Sequence, residues 1–183
     1  MHLSEAVWPD LFAQACKAAA QARPDATSTT LLAFGPERIW VVSGERGQAP
    51  HHQALPWGLE GASAAFFRND LPTPLEWERA IDAVEDELMK LKPLPGSLLV
   101  CSGLREWAQA AGAWPERLDG AKGSVWFSRE GVEAVFQRLA SASLGNPQAL
   151  HGLPTGRKAA MALLLVREFM HHLDHSELLC PGA

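Results

Sequence analysis

The stretch LLAFGPERIWVVSGERG, residues 31–47, decides how the rest of the chain is read. LLAF and RIWVV are short apolar runs, rich in residues that suit a pleated, half-buried surface, and Gly35-Pro36 between them is a turn signal. Two strands joined this tightly pair antiparallel. HHQALPW, residues 51–57, adds a third strand that ends at Pro56, so the pattern predicts an antiparallel meander. Where a strand-turn-strand serves phosphate chemistry, its turn carries several glycines, whose bare N–H groups approach phosphate oxygens closely. This turn carries only Gly35.

Outward from the meander the chain alternates. WPDLFAQACKAAAQA, residues 8–22, is alanine-rich with proline tolerable in the first turn, which predicts a helix within an N-terminal extension over 1–28. GLEGASAAFF, residues 58–67, shows no clear period. In TPLEWERAIDAVEDELMKLK, residues 73–92, Thr73, Pro74 and Glu76 form a capping box, and Trp77, Ile81, Val84, Leu88 and Leu91 share one helical face. The opposite face carries Glu78, Asp82, Glu85, Asp86 and Glu87, read as a solvated face rather than paired catalytic acids. SLLVCSG (97–103) reads as a buried strand, LREWAQAAG (104–112) as a helix following it, and GSVWFS (123–128) as another strand. A helix with Val132, Val135, Phe136 and Leu139 on one face follows. Thr155 is placed to cap a last helix, RKAAMALLLVREFMHHL (157–173), before a short strand, SELLC (176–180). The fold class is therefore α/β: a single domain in which a three-stranded antiparallel meander precedes alternating helices and strands, forming a mixed sheet covered by helices.

Composition narrows the function classes. A chain of 183 residues with 47% hydrophobic and 20% charged content matches one ordinary soluble domain. The net charge of -5 argues against nucleic acid, whose backbone is bound by clustered Lys and Arg. The longest apolar run, AAMALLLV (159–166), falls well short of the roughly 20 residues a membrane span needs, and the N-terminus lacks a basic region followed by an apolar one. The expectation is a cytoplasmic protein without membrane contact. Cys16, Cys101 and Cys180 are scattered and odd in number, which fits reduced thiols.

The order of several strings resembles the second, C-terminal half of the actin-like ATPase (ribonuclease H-like) fold found in the exopolyphosphatase/guanosine pentaphosphate phosphatase family. The strings are TLLAFGPERIWVV (30–42), QALPWGLEGASAAFFRNDLPTPLEWERAI (53–81), LLVCSGLREWAQAAG (98–112), FSREGVEAVFQRLASAS (127–143) and HGLPTGRKAAMALLLV (151–166). The resemblance runs over 29–180. It implies phosphate loops at Gly35, Pro36, Glu37 and Arg38 and at Ser102, Gly103 and Leu104, but in degenerate form. The family's first loop carries an Asp, three glycines, a Ser and later a Glu. In that register stand Ala33, Gly35, Pro36, Glu37, Arg38 and Trp40, where Pro36 has no N–H and Glu37 sets a negative charge against phosphate. The family's Gly-Gly-Thr turn reads Ser102-Gly103-Leu104. The family's preceding domain, which supplies carboxylates for water and a cation, does not fit in the 28 residues before Thr29. The resemblance thus implies a pseudoenzyme, an exopolyphosphatase-related binding or assembly module with no catalytic residues and no cofactor. The alternative is a phosphohydrolase or nucleotide- or polyphosphate-binding protein completed by a partner chain, with Arg38, Arg105 and Arg157 binding the anion.

Three further groups of residues carry chemically suggestive side chains. His171 and His175, four apart beside Asp174, match a zinc spacing that His51 or His52 would complete, but histidines also suit the last turn of a helix, and no metal is expected. Cys101 and Ser102 sit at a strand-to-helix turn without a G-x-S-x-G pattern, so Cys101 is read as an inert buried thiol. Trp40, Trp57, Phe66, Phe67, Trp107 and Trp114 fall around the strand ends and turns, which points to a homodimer, or another protein partner, through that region. The rival is a monomer whose helix over 8–22 folds back on the vacated face.

Overall fold

The computed structural model describes residues 8–92, 97–104, 117–119, 123–153 and 155–182. The elements run α1 (Trp8–Ala22), β1 (Ser28–Phe34), β2 (Ile39–Glu45), β3 (His51–Leu55), α2 (Leu59–Phe66), α3 (Pro74–Leu88), β4 (Leu98–Ser102), β5 (Arg117–Asp119), β6 (Val125–Ser128), α4 (Arg129–Ser143), a 3-10 turn (Pro147–Leu150), α5 (Arg157–His172) and β7 (Glu177–Cys180). The sheet has the order β3-β2-β1-β4-β7-β6-β5. The meander is antiparallel, β1, β4 and β7 are mutually parallel, and β7, β6 and β5 are antiparallel again. Every residue of β1 is buried, as a central parallel strand covered on both faces requires. Its polar start is satisfied internally, Thr30 Oγ1 lying 2.8 Å from Ser43 Oγ and 2.6 Å from Ser97 Oγ.

The period-two alternation of the strands divides the apolar residues between two cores. Leu32, Phe34, Ile39, Val41, Leu55, Leu99, Phe127 and Leu178 face the larger one, shared with α2, α3, α4 and α5. Leu31, Ala33, Trp40, Val42, Leu98, Val100 and Leu179 face the smaller one, covered by Phe12, Ala15 and Ala19 of α1. At the centre of the first core, Trp77 packs edge-on between Phe67 and Phe136, at 5.0 and 5.2 Å between ring centroids, and donates its Nε1–H to Ser143 Oγ at 3.0 Å. The predicted capping box of α3 is present: Thr73 Oγ1 accepts from the Glu76 N–H while the Glu76 carboxylate accepts from the Thr73 N–H. α5 packs against α2, α3 and α4, which accounts for its long buried run Ala160–Phe169, interrupted only by Arg167.

The structure adds to or departs from the sequence reading at three places. GLEGASAAFF holds helix α2, which packs against α5 and whose buried residues are the small Ala62 and Ser63, so no period of large buried residues marks it. Strand β5 and the 3-10 turn, both short, carried no readable pattern. Thr155 does not cap α5: the N-cap is Gly156 at φ 100, a left-handed entry that glycine takes without strain, and it makes no side-chain cap bond. Of the aromatic residues around the strand ends, Trp40 and Phe67 are buried, while Trp57 and Phe66 pack edge-to-face at 6.1 Å on the margin of the larger core. Trp107, Trp114 and the helix expected over 104–112 lie outside the described residues, apart from Leu104. Among the described residues no helix is long and apolar enough to cross a membrane.

Candidate functional site

The carboxyl ends of β1 and β4 lie side by side, with Ala33 paired to Ser102. In an open α/β sheet that end is where ligands are taken, so the two turns leaving it are the candidate site. The first turn closes on itself: Gly35 donates its N–H to Arg38 O at 3.0 Å. Pro36 has no N–H. The donors a phosphate loop would aim at its ligand are thus used up or absent at the first two positions. The acceptors point elsewhere. Leu59, first residue of α2, donates its N–H to Gly35 O at 3.4 Å, and the carbonyls of Gly35 and Pro36 fill the space that a Cβ on Gly58 would need. Carbonyl oxygens therefore sit at the α2 N-terminus, whose partial positive charge would otherwise attract an anion.

The second turn is held by the first strand. Gly103 takes φ +81, and the Phe34 carbonyl occupies the space of its missing Cβ. Leu104, where the resemblance implies a threonine, is buried in the larger core. Ser102 is half-buried and lies at one end of a groove of about 780 Å³ between α1 and strands β4, β6 and β7, lined by Leu11, Ala18, Val100, Trp126 and Leu179.

α5 begins at the same end of the molecule. Lys158 Nζ lies 2.8 Å from Glu60 Oε1 on the first turn of α2, a hydrogen bond and charge that hold the Glu60 carboxyl below its usual range, with Arg157 adding to the effect. Arg38 stands on the hairpin tip and Arg157 on the first turn of α5, both exposed. The Glu60 carboxylate on the first turn of α2 thus takes up the Lys158 charge at the start of α5. Arg105 lies outside the described residues.

His171 and His175 do not share a ligand set. α5 ends at His172, and Asp174 at φ 52 turns the chain, so the four-residue spacing no longer means one helical face. His171 Nε2 is exposed and 3.2 Å from Glu133 Oε2, whereas His175 is buried with Nδ1 3.1 Å from Ser97 O. His52 stacks on Trp8 at 4.4 Å, over the sheet face that α1 covers. Cys101 is buried as expected, but not alone: Val100 pairs with Leu179, and the residues that follow them, Cys101 and Cys180, bring their sulfurs to 2.6 Å. This contact and burial push the Cys101 thiol up, away from thiolate. A set that the residue types did not single out is Glu85, Glu168 and His172, with ligand atoms within 4.8 Å of one another. Half of its signal was legible, because Glu168 and His172 are four apart on α5. Glu85 reaches them only through the packing of α3 on α5.

No protein-family model and no curated protein matches the sequence. Solved structures do match in fold. An Aquifex aeolicus member of the Ppx/GppA protein family superposes with a TM-score of 0.67 at 15% identity, over 92% of this chain and 56% of that one. An exopolyphosphatase from Cytophaga hutchinsonii gives a TM-score of 0.56 at 14% identity, over 91% and 57%. An exopolyphosphatase-like protein gives 0.59 at 14% identity, over 90% and 59%. The chain thus has the actin-like ATPase fold of the Ppx/GppA exopolyphosphatase structures over about nine-tenths of its length, and spans somewhat more than half of theirs.

Proposed function

We propose that the chain acts by binding or assembly, as a non-catalytic relative of the exopolyphosphatase fold. The polarity of the turn at 35–38 supports this reading. Gly35 spends its N–H on Arg38 O, Pro36 has none, and their carbonyls face the start of α2, so the backbone offers negative ends of dipoles where a phosphate needs positive ones. The test is release of inorganic phosphate from polyphosphate, guanosine pentaphosphate and ATP with magnesium. No turnover is expected; steady release that is lost in Arg38→Ala overturns the reading.

A second reading, a phosphate-compound-binding protein or phosphohydrolase completed by a partner chain, is favoured by one observation. Arg38, Arg157 and Lys158 stand at one end of the molecule beside an α5 N-terminus that no side chain caps. A thermal-shift screen with nucleotides and polyphosphate separates the two, since a ligand at 100 times its Kd adds about 2.7 kcal/mol of stability. A flat screen supports the first reading, and a shift with one compound supports the second.

Assembly as a homodimer belongs to the first reading. Trp40 and Phe67 are buried, and Trp57 and Phe66, partly buried at the margin of the larger core, are the aromatics offered for such a contact. Light scattering decides: a mass near 19.8 kDa refutes the dimer, and twice that mass, lost in Trp57→Glu, supports it.

A further inference from the structure

We propose that Glu85, Glu168 and His172 form a divalent-cation site of the zinc class that fastens α3 to α5, apart from the phosphate-loop end. Glu168 and His172 are i and i+4 on α5 and present their side chains on one face. α3 packs on that helix and brings Glu85 to them. His172 Nε2 lies 3.4 Å from Glu85 Oε1 and 3.5 Å from Glu168 Oε2. These separations are long for hydrogen bonds, whose N–H···O distances centre near roughly 2.9–3.0 Å. They match the edges of a tetrahedron: two ligand atoms bound to zinc at about 2.0–2.1 Å stand about 3.3–3.4 Å apart.

The buried member of the set is oriented as metal-binding carboxylates are. The Glu168 side chain is 2% exposed, and its Oε1 is engaged by Arg167, whose Nε is itself held by Glu133 Oε2 at 2.6 Å. One carboxylate oxygen is thus pinned from behind by a charge-assisted hydrogen bond, which leaves Oε2 aimed at Glu85 and His172. A cation at this point offsets the repulsion between the Glu85 and Glu168 carboxylates, which both face His172 Nε2. The other two ligands open outward, the Glu85 and His172 side chains being 43% and 27% exposed, so an ion can enter from solvent and keep water at its fourth position. Two carboxylates and one imidazole are an oxygen and nitrogen set that suits zinc rather than calcium or magnesium, which take oxygen alone.

The test uses the whole chain, freed of metal by a chelator and titrated calorimetrically with zinc, with cobalt as the spectroscopic probe. One saturable site is expected, with the intense visible absorption of tetrahedral cobalt and a higher Tm on loading. Glu85→Gln and His172→Gln, at partly exposed positions, should keep the far-UV circular dichroism of the native fold and lose at least tenfold in affinity, whereas His171→Gln should bind as the native chain does. No saturable binding, or affinity unchanged in both Glu85→Gln and His172→Gln, would overturn the site and leave an ion-pair network only.

Discussion

The carbonyl oxygen of Phe34 stands in the space that a Cβ on Gly103 would occupy, and Gly103 at φ +81 is in the left-handed region. The end of β1 and the turn after β4 are thereby locked together. Gly103→Ala adds left-handed strain of about 1–2 kcal/mol and a backbone clash that no side-chain rotation relieves. The expected loss is about 3 kcal/mol, read as a lower urea midpoint at unchanged slope. A midpoint equal to that of the native chain would show that the two turns are not in contact.

Gly58 makes a different case, because its φ of -89 suits any residue. The cost of Gly58→Ala lies wholly in the clash with the Gly35 and Pro36 carbonyls. The variant is expected to lose about 2 kcal/mol and to shift the hairpin off α2, seen as faster hydrogen exchange at the Leu59 and Gly35 amides than elsewhere in the sheet.

The capping box of α3 is testable at its two ends. Glu76 accepts from the backbone N–H groups of both Thr73 and Arg68, at 2.8 and 2.7 Å, while Thr73 serves Glu76 at 3.3 Å. Thr73→Ala should cost about 1 kcal/mol. Glu76→Ala should cost at least as much, since it strips two donors rather than one; equal stability of Glu76→Ala and the native chain would refute that ordering.

His175 gives stability a pH dependence of defined sign. Burial holds its imidazole below the usual histidine value, against the hydrogen bond to Ser97 O, which raises it. In the unfolded chain it titrates at about 6.5. The neutral form therefore favours folding above that pH, and its contribution fades as pH falls below it, because the unfolded state takes up the proton first. Urea midpoints measured from pH 8 to pH 5 should decline for the native chain, with a shallower decline for His175→Asn. Parallel curves would place the dependence on another group.

Cysteine reactivity follows the packing. Cys101 and Cys180 are buried together, and Cys16 is half-buried on α1 with its thiol pushed up by burial. Titration with an aromatic disulfide should modify Cys16 slowly in the folded protein and release the other two only in denaturant. Rapid native modification of Cys101 would contradict its inert role.

Much of the fold was legible because it rests on short-range pattern. Gly35-Pro36 between two apolar runs specifies a hairpin whatever surrounds it, and Thr73, Pro74 and Glu76 specify a helix start through bonds within four residues. α2 and β5 were not legible, since Ala62 and Ser63 pack by being small and a three-residue strand has no period to read.

Local residue pattern settles the meander, the capped α3, the apolar α5 and the missing phosphate-loop donors at Pro36, because dihedral preference, side-chain period and the presence of an N–H belong to the chain itself. Tertiary packing alone settles that Phe34 closes on Gly103, that the Gly35 and Pro36 carbonyls meet Gly58, that Cys101 finds Cys180 and that Glu85 joins Glu168 and His172. Each of these joins residues more than twenty positions apart or on separate elements, and their meeting depends on strand order and helix packing, which no local preference encodes.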